Sequence, residues 1–241
     1  MQLPRAWQPL ADLLYPPRCL VCHRPPRLSR ARFCDECRPA LFLDATSACP
    51  RCAMTVGPFG VQGGRCPACR NQPLHFAAAL RLGVYEGRLA EAVGKIKHAA
   101  FEGLAEELGE QWAEARRQEF DFLQPNAVVP VPLHWRKRLW RGYDQSAALA
   151  FGLAGRLGKP CRPRWLNRTR ATAEQKAQAS AAARRENVKD AFRARPDAAG
   201  RHVLLVDDVL TTGATASEAA GALLKAGACR VSVAVLARAG G

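Results

Sequence analysis

Four CxxC pairs stand in the first 70 residues: Cys19/Cys22, Cys34/Cys37, Cys49/Cys52 and Cys66/Cys69. A CxxC turn points two thiolates at one centre, and two such turns complete a tetrahedral four-sulfur site. The spacers between pairs are 11, 11 and 13 residues. Zinc is the expected metal, two ions in all; an iron–sulfur cluster is less typical of this ribbon spacing. A disulfide framework would not favour regular CxxC pairs and fits poorly with a reducing compartment. The first ion would take Cys19, Cys22, Cys34 and Cys37, and the second Cys49, Cys52, Cys66 and Cys69, or the pairs would interleave; short spacers favour the sequential double ribbon. His23 and His75 are spare, because eight thiols already fill two sites, and read as solvated loop residues. Cys161 and Cys229 lie far off and read as ordinary small residues.

The ribbon module is expected to end near Pro73, after a stretch rich in Gly and Pro, giving two domains, 1–73 and 74–241. No apolar run reaches the roughly 18–20 residues of a membrane span. The opening MQLPRAWQPLADLLYPP has Asp12 inside its apolar stretch and no small-residue cleavage site, so a cytoplasmic chain is expected. Beyond 73 the pattern alternates. Strands are predicted over 79–85, 127–131, 202–206 and 230–236. Helices are predicted over 88–98, 103–120, 144–158 and 215–226, the second showing Leu104, Leu108 and Trp112 on one face. Residues 167–192 read as a polar, basic loop or weak helix. Such alternation indicates an α/β fold with a parallel sheet.

The chain carries 36 Lys+Arg against 21 Asp+Glu, a net +15, and residues 127–195 hold 16 of the basic and 4 of the acidic groups. A cluster of that density reads as a phosphate or nucleic-acid surface. Its plain counterpart is a solvated, Arg-rich face.

The most informative segment is VLLVDDVLTTGAT, Val203 to Thr215. Four aliphatic residues make a strand, and two adjacent carboxylates, Asp207 and Asp208, stand at its C-terminal end, where open α/β sheets bind ligands. Thr211, Thr212, Gly213, Ala214 and Thr215 then offer backbone N–H groups and hydroxyls at a helix N-terminus, an anion cradle. Paired carboxylates accept hydrogen bonds from a vicinal diol; a diol beside a phosphate describes a ribose 5-phosphate.

This segment resembles the phosphoribosyl-pyrophosphate (PRPP) motif of type I phosphoribosyltransferases. Further stretches narrow the resemblance: LLYPPRCLVC at 13–22, YEGRLAEAVGKIKH at 85–98, VPVPLHWRKRLWRGYDQS at 129–146, RTRATAEQ at 168–175 and RRENVKDAF at 184–192. Together they resemble the ComF/GntX family of competence-associated, phosphoribosyltransferase-like proteins, with Tyr143-Asp144 where Phe-Asn is usual. The resemblance implies a type I phosphoribosyltransferase-like parallel sheet preceded by a double zinc ribbon. It implies PRPP with Mg²⁺ at Asp207–Thr215, and a pyrophosphate loop at Pro130–Pro132 continuing into Arg136, Lys137, Arg138 and Arg141, with Tyr143 and Gln145 on the same rim. A closing loop would carry Arg168, Arg170, Thr172, Gln175, Arg184 and Asn187. No residue reads as a general base, and little chain remains after the last strand to read a nucleobase.

Two functions follow. In one, a PRPP- or nucleotide-binding protein also holds single-stranded DNA, with Trp135, Trp140, Tyr143 and Trp165 interleaved among arginines for stacking. The resemblance then implies DNA uptake or processing in natural competence, beside a competence helicase or recombination proteins. In the other, the chain is an active phosphoribosyltransferase on an unknown acceptor.

Overall fold

The computed structural model describes residues 16–28, 31–170 and 181–240. Its centre is a four-stranded sheet built from β1 (Ala78–Val84), β2 (Ala127–Pro130), β5 (His202–Leu210) and β6 (Arg230–Arg238), in the order β1-β6-β5-β2, every pair parallel. The near-continuous aliphatic runs of β2, β5 and β6 suit strands covered on both faces. Alternation along β5 sends Leu204 and Val206 into one core, with Val128 of β2, and Val203 and Leu205 into another, with Val129.

Helices close both cores. On the first face lie α3 (Gly87–Lys95), α4 (Glu102–Ala115), α5 (Arg117–Leu123) and α7 (Gln145–Leu157). The predicted face Leu104, Leu108 and Trp112 is buried, but the single helix expected over 103–120 breaks at Arg116. There φ is −121° and ψ 31°, and the break turns Phe120 edge-on to Trp112, with ring centroids 5.3 Å apart. α4 and α7 cross at two glycines: a Cβ on Gly152 would stand 2.0 Å from the Glu106 carbonyl oxygen, and one on Gly109 2.3 Å from that of Leu149. On the second face lies α9 (Ala214–Lys225), packing Ala216, Ala219, Ala220 and Leu223 inward.

β2 and β5 are neighbours, yet the helices that follow them, α7 and α9, cover opposite faces. That reversal is the switch point of an open sheet, and it leaves a crevice beyond the strand ends. Between β2 and β5 the chain makes a two-stranded antiparallel ribbon, β3 (Leu166–Arg168) with β4 (Phe192–Ala194), carrying α8 (Ala181–Val188) between its legs. The segment read as a loop or weak helix thus contains both a hairpin base and a helix.

The two cysteine-rich units contain the short helices α1 (Cys37–Phe42) and α2 (Pro67–Arg70). The first unit packs Cys19, Val21, Phe33, Cys34, Cys37, Leu41 and Phe42 into the α3/α4 core. The second forms its own cysteine cluster beside the middle of β1 and the end of β6. Among the described residues no helix is long and apolar enough to cross a membrane.

Candidate phosphoribosyl site and metal centres

The cysteines fall into two separate sets, Cys19/Cys22/Cys34/Cys37 and Cys49/Cys52/Cys66/Cys69, with all ligand atoms of a set within 4.8 Å of one another. The pairing is therefore sequential. Sulfur–sulfur separations are 3.5 Å for Cys22–Cys34, 3.8 Å for Cys49–Cys69, 3.6 Å for Cys52–Cys66 and 3.8 Å for Cys66–Cys69. Four sulfurs about 2.3 Å from a tetrahedral zinc lie about 3.8 Å apart, so both sets fit the ion; a disulfide needs about 2.05 Å.

Each Zn(Cys)₄ site is formally −2, and the second is answered by one buried arginine, Arg238, and one half-buried, Arg51. Arg238, 6% exposed, donates from Nε to the Cys52 carbonyl at 3.1 Å and from NH1 to the Leu210 carbonyl at 2.9 Å. Arg51 and Arg238 both feel the Cys49 and Cys52 thiols, although burial pulls each guanidinium below its ordinary value. The one sequence signal for Arg238 is a lone charge near the end of an apolar strand, too slight to mark it as a functional residue. His23 and His75 are exposed, and His75 instead rests on α9 beside Ser217, with Nδ1 3.1 Å from the Ser217 carbonyl oxygen. Cys229 is exposed just before β6, and Cys161 lies half-buried beside β2.

The crevice is built on β5. β5 continues to Leu210, paired with β6 throughout, so Asp207 and Asp208 lie within the strand rather than after it. On the other side β2 has already ended: Val131 N–H donates to the Val206 carbonyl at 2.8 Å and the chain departs. The carboxylates therefore stand where β5 has lost one neighbour. α7 reaches into the vacated place. Asp144 caps its start, accepting from the backbone N–H of Ser146 and Ala147, and also from Leu133 N–H at 3.0 Å, which ties down the excursion from β2. Ser146 Oγ then donates to Asp207 Oδ1 at 3.1 Å, and Gln145 Nε2 to Asp208 Oδ2 at 3.3 Å. Asp207 is pushed well above the ordinary carboxylate range by burial and by the neighbouring Asp208 charge, against the Asp208 N–H and Ser146 hydrogen bonds. A crowded carboxylate pair of this kind calls for hydroxyl donors or a cation.

Gly213 follows at φ 79°, the left-handed region that favours glycine, and starts α9. A Cβ there would only touch Leu74, at 3.4 Å, so the backbone angle rather than space calls for glycine. Ala214 N–H approaches Thr212 Oγ1 at 3.4 Å. A cavity of about 230 Å³ adjoins this turn, between Thr212, Ala214 and Ser217, the Leu74–His75 segment leaving the ribbon, and Arg185 and Lys189 at the far side.

The basic run after β2 is a short helix, α6 (Trp135–Arg141), rather than a loop. Arg136, Lys137, Arg138 and Arg141 all belong to it. Arg141 NH1 donates to Gln145 Oε1 at 3.2 Å, so one amide links Arg141 to Asp208. Trp135, Leu139 and Trp140 are 60%, 78% and 86% exposed. Tyr143 is not part of that surface. It is buried, its hydroxyl donates to the Ile96 carbonyl, and burial pushes the phenol up to about 12. Trp165 is half-buried.

Of the residues expected in a closing loop, Arg168 ends β3 and lies 5.3 Å over the Phe192 ring; burial lowers its pKa, against the pull of the Asp207 charge. Arg170 donates to the carbonyls of Asn187 at 3.2 Å and Lys189 at 2.7 Å, capping the end of α8, on which Arg184 and Asn187 sit. Thr172 and Gln175 lie outside the described residues.

A phosphoribosyl transferase domain model matches residues 146–241, and a double zinc ribbon domain model matches residues 10–70. The chain is 34% identical over 230 residues to DNA utilization protein YhgH of Salmonella typhi, covering 94% of this chain and 99% of that protein. It is 38% identical over 118 residues to Competence protein F of Haemophilus influenzae, covering 48% of this chain and 51% of that protein. Among solved structures, an allosteric regulatory enzyme of purine biosynthesis overlays 56% of this chain and 26% of its own, at 25% identity and a TM-score of 0.40. With a near full-length relative and both domain models on the same chain, this is a ComF-family protein: a phosphoribosyltransferase-like domain behind an N-terminal double zinc ribbon.

Proposed function

We propose that the chain binds PRPP or a ribose 5-phosphate nucleotide in the crevice between β5 and α9, and holds single-stranded DNA on the exposed face of α6, in support of DNA uptake or processing. One observation carries the ligand reading: Asp207 and Asp208 stand side by side past the end of β2, a short turn before the left-handed glycine that opens α9. Asp207 and Asp208 would accept from the ribose hydroxyls. The turn at Thr211, Thr212, Gly213, Ala214 and Thr215 would receive the 5′-phosphate. Arg138 and Arg141, with Arg136 and Lys137, would meet pyrophosphate or the DNA backbone. The crowded carboxylate pair suits a divalent cation, and Mg²⁺ brought in with PRPP would supply charge neutralisation there. Arg168, Arg184 and Asn187 lie on the hairpin that would close the crevice. The exposed Trp135, Leu139 and Trp140 beside cations support the DNA reading, because bases stack on aromatic faces while phosphates meet guanidinium groups. A competence helicase or recombination proteins are the partners such a role requires.

Thermal unfolding with PRPP and Mg²⁺ tests this reading. A ligand at about 100 times its Kd stabilises the folded state by about 2.7 kcal/mol, a rise of several degrees in Tm. No shift with PRPP, and none with ribose 5-phosphate nucleotides, would remove the ligand reading.

The 230 Å³ cavity favours a second reading, transfer to an acceptor seated between the ribbon exit and α9. Pyrophosphate release that depends on one base or nucleoside would establish that transferase; release with none across a panel would count against it.

A further inference from the structure

A second cavity lies away from the β5 crevice, along the free edge of β2. Residues 160–162 lie against that edge: Val128 N–H donates to the Pro160 carbonyl at 3.0 Å, and Arg162 N–H to the Val128 carbonyl at 2.8 Å. A 3₁₀ turn, Pro163–Trp165, follows, with Trp165 N–H on the Arg162 carbonyl at 3.1 Å. The β3–β4 pairing then brings the chain back, and Arg195 N–H donates to the Trp165 carbonyl at 2.8 Å. Three guanidinium groups, on Arg162, Arg164 and Arg195, thus leave a hydrogen-bonded frame around one space of about 320 Å³, with Cys161, Trp165 and Asp197 among its other walls. That volume is at the lower end of small-molecule sites.

The charge there is one-sided. Asp197 is the one carboxylate in the wall, and it already sits 3.3 Å from Arg195 Nε. Among the described residues, neither Arg162 nor Arg164 has a carboxylate partner. Burial pushes the Cys161 thiol up to about 11, so the cavity wall offers no thiolate. Trp165 rests in part on the core formed with Leu166 and Phe192. An anchored aromatic ring beside two unpaired cations is the chemistry that takes a base and its phosphate together.

We propose that this cavity seats one nucleotide of a single DNA strand, its base against Trp165 and its phosphate among Arg162, Arg164 and Arg195. The proposal rests on the DNA reading above and gives Trp165 a defined site of its own, apart from α6. Both sites flank β2, the cavity along the strand and α6 beyond its end.

The test is fluorescence anisotropy of labelled oligo-deoxythymidylate with the zinc-loaded full chain, titrated with salt. The exposed arginines permit a triple variant, Arg162→Ala/Arg164→Ala/Arg195→Ala, with zinc content and Tm as controls for folding. It should bind about tenfold more weakly, and its slope of log K against log salt should be shallower by about 0.7 for each phosphate that is no longer neutralised. Trp165→Ala should weaken binding with the slope kept, whereas Trp165→Phe should retain it, which also covers the case that Trp165→Ala fails to fold. A triple variant with the parent's affinity and slope, while Trp140→Ala in α6 weakens binding, overturns the cavity and leaves the DNA reading standing. Absence of salt-dependent binding by the parent chain removes both. Binding of thymidine monophosphate that the triple variant loses while oligonucleotide affinity stays unchanged makes the cavity a small-ligand site and also overturns the proposal.

Discussion

Burial pushes two carboxylates the same way, yet their net shifts are opposite. Asp44 accepts from Arg81 Nε at 2.9 Å, with the side chains 9% and 1% exposed, and Arg81 NH1 reaches the Ala53 carbonyl and Thr55 Oγ1, each at 2.8 Å. Burial alone would raise the Asp44 pKa; the Thr46 hydrogen bonds and Arg81 overcome it and hold it below the ordinary value. Its contribution to stability is therefore present above the unfolded carboxylate value, about 3.9, and is lost as pH falls through the lower folded value. Replacing Arg81 by Met leaves the Asp44 charge without its cation, held only by the Thr46 hydrogen bonds, and should cost about 3–5 kcal/mol in denaturant unfolding at neutral pH. Asp207 shifts the other way. Its folded pKa is raised, so the folded state holds a proton that the unfolded chain releases, and stability is lost as pH rises from the ordinary carboxylate range through that raised value. Asp207→Asn keeps the acceptor for Ser146 Oγ and removes the charge. It should stabilise the ligand-free protein by on the order of 1 kcal/mol, a Tm rise of about 2–4 °C, while weakening the ligand. A neutral or lowered Tm would show that the pair is not strained.

At the scale of elements, what the sequence made legible was local, and what it hid was set by neighbours. The strand–turn–helix of β5 and α9 could be read because four aliphatic residues, two carboxylates, a Thr-Gly turn and an Ala-rich face follow within one short segment. The extra length of β5 could not: Asp207 to Leu210 are strand because β6 runs on to Arg238 beside them. The short strands β3 and β4 are below the length at which periodicity shows, and only their mutual pairing across the intervening hairpin makes them strands. α6 hides behind Pro132, and its apolar residues Trp135, Leu139 and Trp140 face outward rather than into a core. At the candidate site, Asp207, Asp208 and the turn were legible, whereas the contact of Ser146 with Asp207 depends on how α7 meets the end of β2. The α4–α7 crossing is likewise tertiary. Gly152→Ala would drive a Cβ into the Glu106 carbonyl and should cost at least about 1–3 kcal/mol by calorimetric or denaturant unfolding, with α7 and its Ser146 shifted. Unchanged stability would mean that the helices separate freely there.

Across the whole molecule, metal and sheet share one charge balance. The second cysteine cluster, formally −2 with its ion, sits against Arg51 and Arg238, and Arg238 also holds the carbonyl of Leu210, just before the Thr-Gly turn. Metal analysis should give two zinc ions per chain, falling to one in Cys66→Ser, and Arg238→Met should release zinc to a chelator faster from the second cluster than from the first. Equal release from both would separate the ribbon from the sheet. The central claim is narrower: that the β5–α9 crevice is a phosphoribosyl site. Isothermal titration of PRPP with Mg²⁺ into the zinc-loaded chain, compared with Asp207→Asn/Asp208→Asn, measures it most directly. Hydrogen bonds to charged acceptors are worth about 1.5–3 kcal/mol each, so the double variant should lose about a hundredfold or more in affinity while retaining both zinc ions. Equal affinity in parent and double variant would contradict the assignment of the crevice.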